Sequence, residues 1–121
     1  MGMVFPSDLD CIEAGVMIDN YCDQAGIPTR IKYRIHLVFE ELVQQMLMPR
    51  IDNPSIEVRT EYIEKDKRAE MTVKYNGEHF DPADSDNELS YKVLKSVTSD
   101  LRHTTIEEDE YTNQIDCAIS E

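Results

Sequence analysis

The reading of the chain turns on MTVKYNGEHFDP, residues 71–82. Its first half alternates, with Met71, Val73 and Tyr75 on one side and Thr72 and Lys74 on the other, the period-two pattern of a half-buried strand. Its second half breaks that pattern with Asn76 and Gly77, then runs into an acidic, proline-bearing segment that continues to Asn87. The stretch therefore reads as a strand delivering a glycine loop. Upstream, IEVRTEYI (56–63) alternates as well, and EKDKR joins the two runs through a tight polar connection, so they are expected to pair as a hairpin.

Working outward, residues 89–100 carry Leu89, Val93, Leu94 and Val97 at helical spacing. LRHTTIEE (101–108) then reads as a strand, the acidic run 107–110 as a turn, and YTNQIDCAI (111–119) as a last strand with Asn113, Ile115, Cys117 and Ile119 on one face. Toward the start, Ser7 or Asp8 is placed to cap a helix reaching Gln24, with Leu9, Ile12, Val16 and Tyr21 on its apolar stripe. AGIP (25–28) ends it, and Thr29 is placed to cap a second helix over 30–47, in which Ile31, Ile35, Val38, Leu42 and Met46 face inward. The order is helix, helix, strand, strand, helix, strand, strand. Three helices in so short a chain share a core most economically on one side of one sheet. The fold class expected is a two-layer α/β sandwich, with a mixed, mostly antiparallel sheet and three helices on one face, as a single domain over 1–121.

Twenty-five acidic against twelve basic residues give a formal charge of −13 over 121 residues. That field repels a phosphate backbone and argues against nucleic acid as a partner. No apolar run is long enough to span a bilayer, and the first residues lack the pattern of a secretory leader, so no membrane role is expected. Cys11, Cys22 and Cys117 form no CxxC pair and read as reduced core thiols, which places the protein in the cytoplasm. His36, His79 and His103 lack metal-ligand spacing. The acidic run 107–110 reads as a solvated turn, and Ile63 among polar neighbours marks the outer sheet face as a contact surface.

Several stretches, in this order, resemble the ATPase domain shared by sensor histidine kinases and DNA gyrase, the histidine-kinase-like ATPase fold, and most of all the small bacterial anti-sigma-factor serine kinases. In LVFEELVQQML (37–47), Glu41 and Leu42 match that family, and Gln45 stands where it has asparagine. In VKYNGEHFDP (73–82), Gly77, Phe80, Asp81 and Pro82 match, Tyr75 stands for the aspartate, and His79 stands for the second glycine. In 87–103 the helix side fits, but Asn87 and Glu88 stand where glycines open the phosphate lid. Asn113 fits the start of the last strand. The resemblance implies that Glu41 would be the catalytic base, that Gln45 would be the magnesium ligand, and that Tyr75, Gly77 and His79 would border the ATP pocket.

Each departure falls where ligand is touched. Glutamine moves its amide oxygen outward by a methylene, against the tight octahedral demand of magnesium. Tyrosine lacks the charge of the aspartate that would accept from adenine. A Cβ at position 79 narrows backbone choices that glycine leaves open. The expectation is a degenerate ATPase-like domain, with no cofactor, that acts as a non-catalytic regulatory module through protein contacts. Tyr75 and Phe80 are expected to fill the space left by the base. The partners implied are a sigma factor or an antagonist of the anti-sigma class, with a homodimer also implied. The alternative is an active Mg-ATP-binding serine/threonine kinase acting as an anti-sigma factor.

Overall fold

The structure, a computed structural model, describes residues 2–5 and 11–120. Its elements are β1 (Gly2–Phe5), α1 (Cys11–Ala25), α2 (Thr29–Val38), β2 (Ile56–Ile63), β3 (Arg68–Tyr75), α3 (Glu88–Val97), β4 (Ser99–Thr105) and β5 (Asn113–Ser120). They form a two-layer α/β sandwich whose five strands lie in the order β1-β2-β3-β5-β4. Every neighbouring pair is antiparallel, where a mixed sheet was expected.

The register aligns the apolar stripes. Ile56 faces Tyr75, Val58 faces Val73 and Thr60 faces Met71; Tyr75 in turn faces Asn113, Val73 faces Ile115 and Met71 faces Cys117. These residues are buried together with Ile18, Tyr21 and Cys22 of α1, Ile31, Ile35 and Val38 of α2, and Leu94 of α3. One sheet face thus carries the helices. The other presents Arg59, Glu61, Glu70, Thr72, Lys74 and Asp116, with Ile63 half-buried at its end. Burying one such Leu or Ile side chain contributes about 1.5–3 kcal/mol, so the shared stripe is the main cohesive feature. Tyr21 donates its hydroxyl hydrogen to the Thr60 carbonyl, and Arg34 donates to the Ser120 carbonyl, fixing α1 and α2 to the sheet. Asp19 of α1 meets His36 of α2 at 2.7 Å.

After Val38 the second helix continues to Leu47 with π-helical geometry over Phe39–Leu47, and the Met48 N–H donates five residues back, to Val43, at 2.9 Å. The buried residues explain the wider turn. They come as doublets, Val38/Phe39, Leu42/Val43 and Met46/Leu47, repeating every four residues. In a helix of 3.6 residues per turn a four-residue repeat drifts by about 40° per step, so all three doublets cannot stay inward. A wider turn opposes that drift.

Several expectations need correction. The strand β1 pairs with β2 and had no counterpart in the pattern reading. Thr29 does not cap: Pro28 holds that position in extended backbone, and no side chain bonds to the helix start. The third helix ends at Val97, and the chain is already in β4 from Ser99. Leu89 and Val16, expected inward, are 74% and 53% exposed. The proposed caps Ser7 and Asp8, and Leu9, lie outside the described residues, as do the side chains of Cys11 and Ile12. Cys22 and Cys117 are free and buried, as read. No helix among the described residues is long and apolar enough to cross a membrane.

Candidate functional site

The loop 76–80 leaves β3 at the end of the sheet and passes over the first residue of β5. Tyr75 is the last inward residue of β3 and is only 1% exposed. Its hydroxyl donates to the Phe80 carbonyl, closing the loop onto its own base. Burial, reinforced by the negative charge of Asp81, pushes the phenol well above its ordinary pKa, so the hydroxyl stays a donor. Gly77 turns the chain at φ +94°, where a side chain is strained, and a Cβ there would stand 3.4 Å from Ile51.

Asn113 holds this loop and was underrated by the sequence reading. It is fully buried. Its Oδ1 accepts from the Phe80 N–H at 3.0 Å and from His103 Nε2 at 2.8 Å. Its Nδ2 donates to the Glu78 carbonyl at 3.0 Å and to Thr112 Oγ1 at 3.1 Å. Because an amide oxygen only accepts, His103 must carry its proton on Nε2. Thr112 donates its hydroxyl hydrogen to the Gly77 carbonyl at 2.6 Å, and its N–H donates to the Tyr75 carbonyl at 3.1 Å. On the other flank, Asn76 Oδ1 accepts from the Ser55 N–H at 2.7 Å, and Asn76 Nδ2 donates to the Asn53 carbonyl at 3.0 Å. Much of the loop's hydrogen-bonding capacity is therefore spent inside the protein. A clue was visible: Asn113 is the polar member of an otherwise apolar inward stripe, and such a residue must find buried partners.

A cleft of about 310 Å³ lies between the turn after the second helix and this loop. It is lined by Arg50, Ile51, Asp52, Tyr75, Gly77, Glu78 and Phe80. Arg50 sets its guanidinium over the Phe80 ring, 3.9 Å from the centroid. Both rings beside it are buried, Tyr75 at 1% and Phe80 at 6% exposed.

The residues singled out from sequence are only partly assembled. Tyr75 and Gly77 line the cleft; Glu41, Gln45 and His79 do not. Glu41 is half-buried, while Gln45 and His79 are exposed. Asn87, where the resemblance expects a lid glycine, caps α3 by accepting from the Ser90 N–H at 3.2 Å. Asp81 likewise accepts from the Ala83 N–H at 2.9 Å, starting a 3-10 turn over Pro82–Asp84. No group of three or more His, Cys, Asp or Glu side chains among the described residues could hold a metal ion. Gln45, the residue the resemblance offers to magnesium, is exposed and lies outside the cleft. In the acidic turn, Glu108 meets Lys74 at 3.0 Å and Glu110 accepts from Ser55 at 3.2 Å.

No protein-family model matches the chain, and no curated protein matches it.

Proposed function

We propose that this chain is a cytoplasmic, non-catalytic regulatory module that acts by binding another protein. We further propose that it is built on a degenerate domain of the histidine-kinase-like ATPase fold, akin to the anti-sigma-factor serine kinases. A sigma factor or an antagonist of that class is the partner type the resemblance suggests, and a homodimer is part of the same reading. The observation that carries the proposal is Tyr75. On that resemblance it stands for the base-binding aspartate; its ring is buried, and its hydroxyl is committed to the Phe80 carbonyl. Losing a charge-assisted hydrogen bond to adenine costs about 1.5–3 kcal/mol, or roughly ten- to a hundredfold in affinity. The inward-bonded loop, and the position of Gln45 outside the cleft, weaken nucleotide binding further.

Isothermal titration with Mg-ATP tests this reading. The expected result is no saturable heat at micromolar nucleotide. Magnesium-dependent binding in that range refutes the proposal.

The cleft beside Tyr75 is the observation that favours the runner-up, an active Mg-ATP-dependent serine/threonine kinase with Glu41 as base and Gln45 as metal ligand. Against it, neither of those residues reaches the cleft. Transfer of labelled phosphate to a protein, abolished by Glu41→Gln, would establish this second reading in place of the first.

A further inference from the structure

We infer that the cleft beside Phe80 receives an arginine side chain from a partner protein. The inference rests on the protein-binding function proposed above and gives the chemistry of the contact. The floor is aromatic and already carries a planar cation: the guanidinium of Arg50 lies 3.9 Å from the Phe80 centroid. Two acids from different segments line the cleft, Asp52 on the turn after the second helix and Glu78 on the loop after β3. Neither acid, nor Arg50 itself, takes part in an ion pair among the described residues.

The cleft, about 310 Å³, is at the small end for ligand pockets, a size suited to one long side chain. Guanidinium matches it better than ammonium, because a planar fork can stack on a ring while its N–H edges stay open to the exposed side chains of Asp52 and Glu78. The formal charge of −13 draws a basic segment toward the surface before any contact forms. In the free protein Arg50 is therefore an internal occupant of the Phe80 face, and the incoming arginine displaces it.

This gives substitutions of opposite sign at exposed positions. Arg50→Ala removes the competitor and should tighten binding roughly two- to fivefold, the scale of an exposed cation–π contact. Asp52→Asn and Glu78→Gln should each weaken it by up to about fivefold, the scale of an exposed ion pair. The probe is N-acetyl-arginine amide, titrated into the labelled full chain at 0.5 M NaCl and followed by amide chemical shifts, with the lysine analogue in parallel. Saturable shifts confined to residues 50–53 and 77–80, stronger for arginine and ordered as above across the variants, support the inference. Shifts spread over the acidic surface without saturation, equal response to lysine, or weaker binding by Arg50→Ala overturn it. If arginine fails to bind while Mg-ATP also fails, only this inference falls; Mg-ATP uptake removes the underlying function whatever arginine does.

Discussion

Asn113→Ala is the most informative single perturbation of the loop. The side chain is fully buried and joins β5 to Glu78, Phe80, His103 and Thr112 through the distances given above. Truncation does not affect these partners equally. Glu78 is exposed and His103 half-buried, so water can replace much of what their polar groups lose. The Phe80 N–H lies on a buried residue and keeps no partner. A buried donor left unsatisfied costs about 1–3 kcal/mol. Adding a modest term for the cavity, the expected global loss is roughly 2–4 kcal/mol in urea denaturation. Hydrogen exchange separates local from global effects. If the loop alone loses about 2 kcal/mol, the Phe80 amide should exchange about thirtyfold faster relative to the Ile115 amide in the neighbouring strand. An unchanged Phe80-to-Ile115 ratio, with less than about 0.5 kcal/mol lost overall, would show that Asn113 does not hold the loop.

Three further expectations concern stability. Gly77→Ala should cost about 1–2 kcal/mol by chemical denaturation, since φ is +94° and Ile51 stands 3.4 Å from the added Cβ; a neutral result would mean that the turn relaxes freely. Leu89→Ser should change the unfolding free energy by no more than about 0.5 kcal/mol because the side chain is 74% exposed, whereas a loss of 2 kcal/mol would place it in the core. Burial pushes the Cys22 thiol up to about 11 and the Cys117 thiol up to about 12, from 9.0. A raised folded pKa stabilises below the unfolded value and is lost as pH rises toward the folded one, so stability should fall between pH 9 and 11, by up to about 1.4 kcal/mol per pH unit for each thiol. Cys22→Ala/Cys117→Ala should flatten that slope in denaturation curves taken at several pH values, and an unaltered slope would assign it to other groups.

The parts of the fold legible in sequence are those where period and burial coincide. The inward sets of β3 and β5 are the alternating sets of the sequence, because each strand packs one face on helices and leaves the other to water. The spacing that predicts the third helix also overruns its end at Val97. Leu101 continues the spacing of Leu94 and Val97, but Thr98 turns extended and bonds its hydroxyl back to the Leu94 carbonyl at 2.8 Å. Four residues of β1 offer too few alternations to stand out. The site was legible to a lesser degree. That Tyr75 points inward follows from Met71 and Val73. That Arg50 would lie on Phe80, or that Thr112 would bond to Gly77, depends on loops meeting across 30 and 35 positions, which no local period encodes.

The wide-turned second helix ties the two scales together. Its doublets at 38/39, 42/43 and 46/47 were visible as a four-residue repeat, although the reading fitted an α-helical stripe to them. The repeat bears on Glu41 and Gln45, which lie four apart and so stay on nearly the same side of the helix. In the wider turn the buried doublets hold the inward side, and these two polar residues fall between them, Glu41 half-buried and Gln45 exposed. The same apolar pattern that packs the helix against the sheet therefore sets the orientation of the residues a nucleotide site would need. Leu47→Ala should destabilise the core by about 2–5 kcal/mol in urea denaturation, because the side chain is fully buried, while leaving arginine-probe shifts at 77–80 in place.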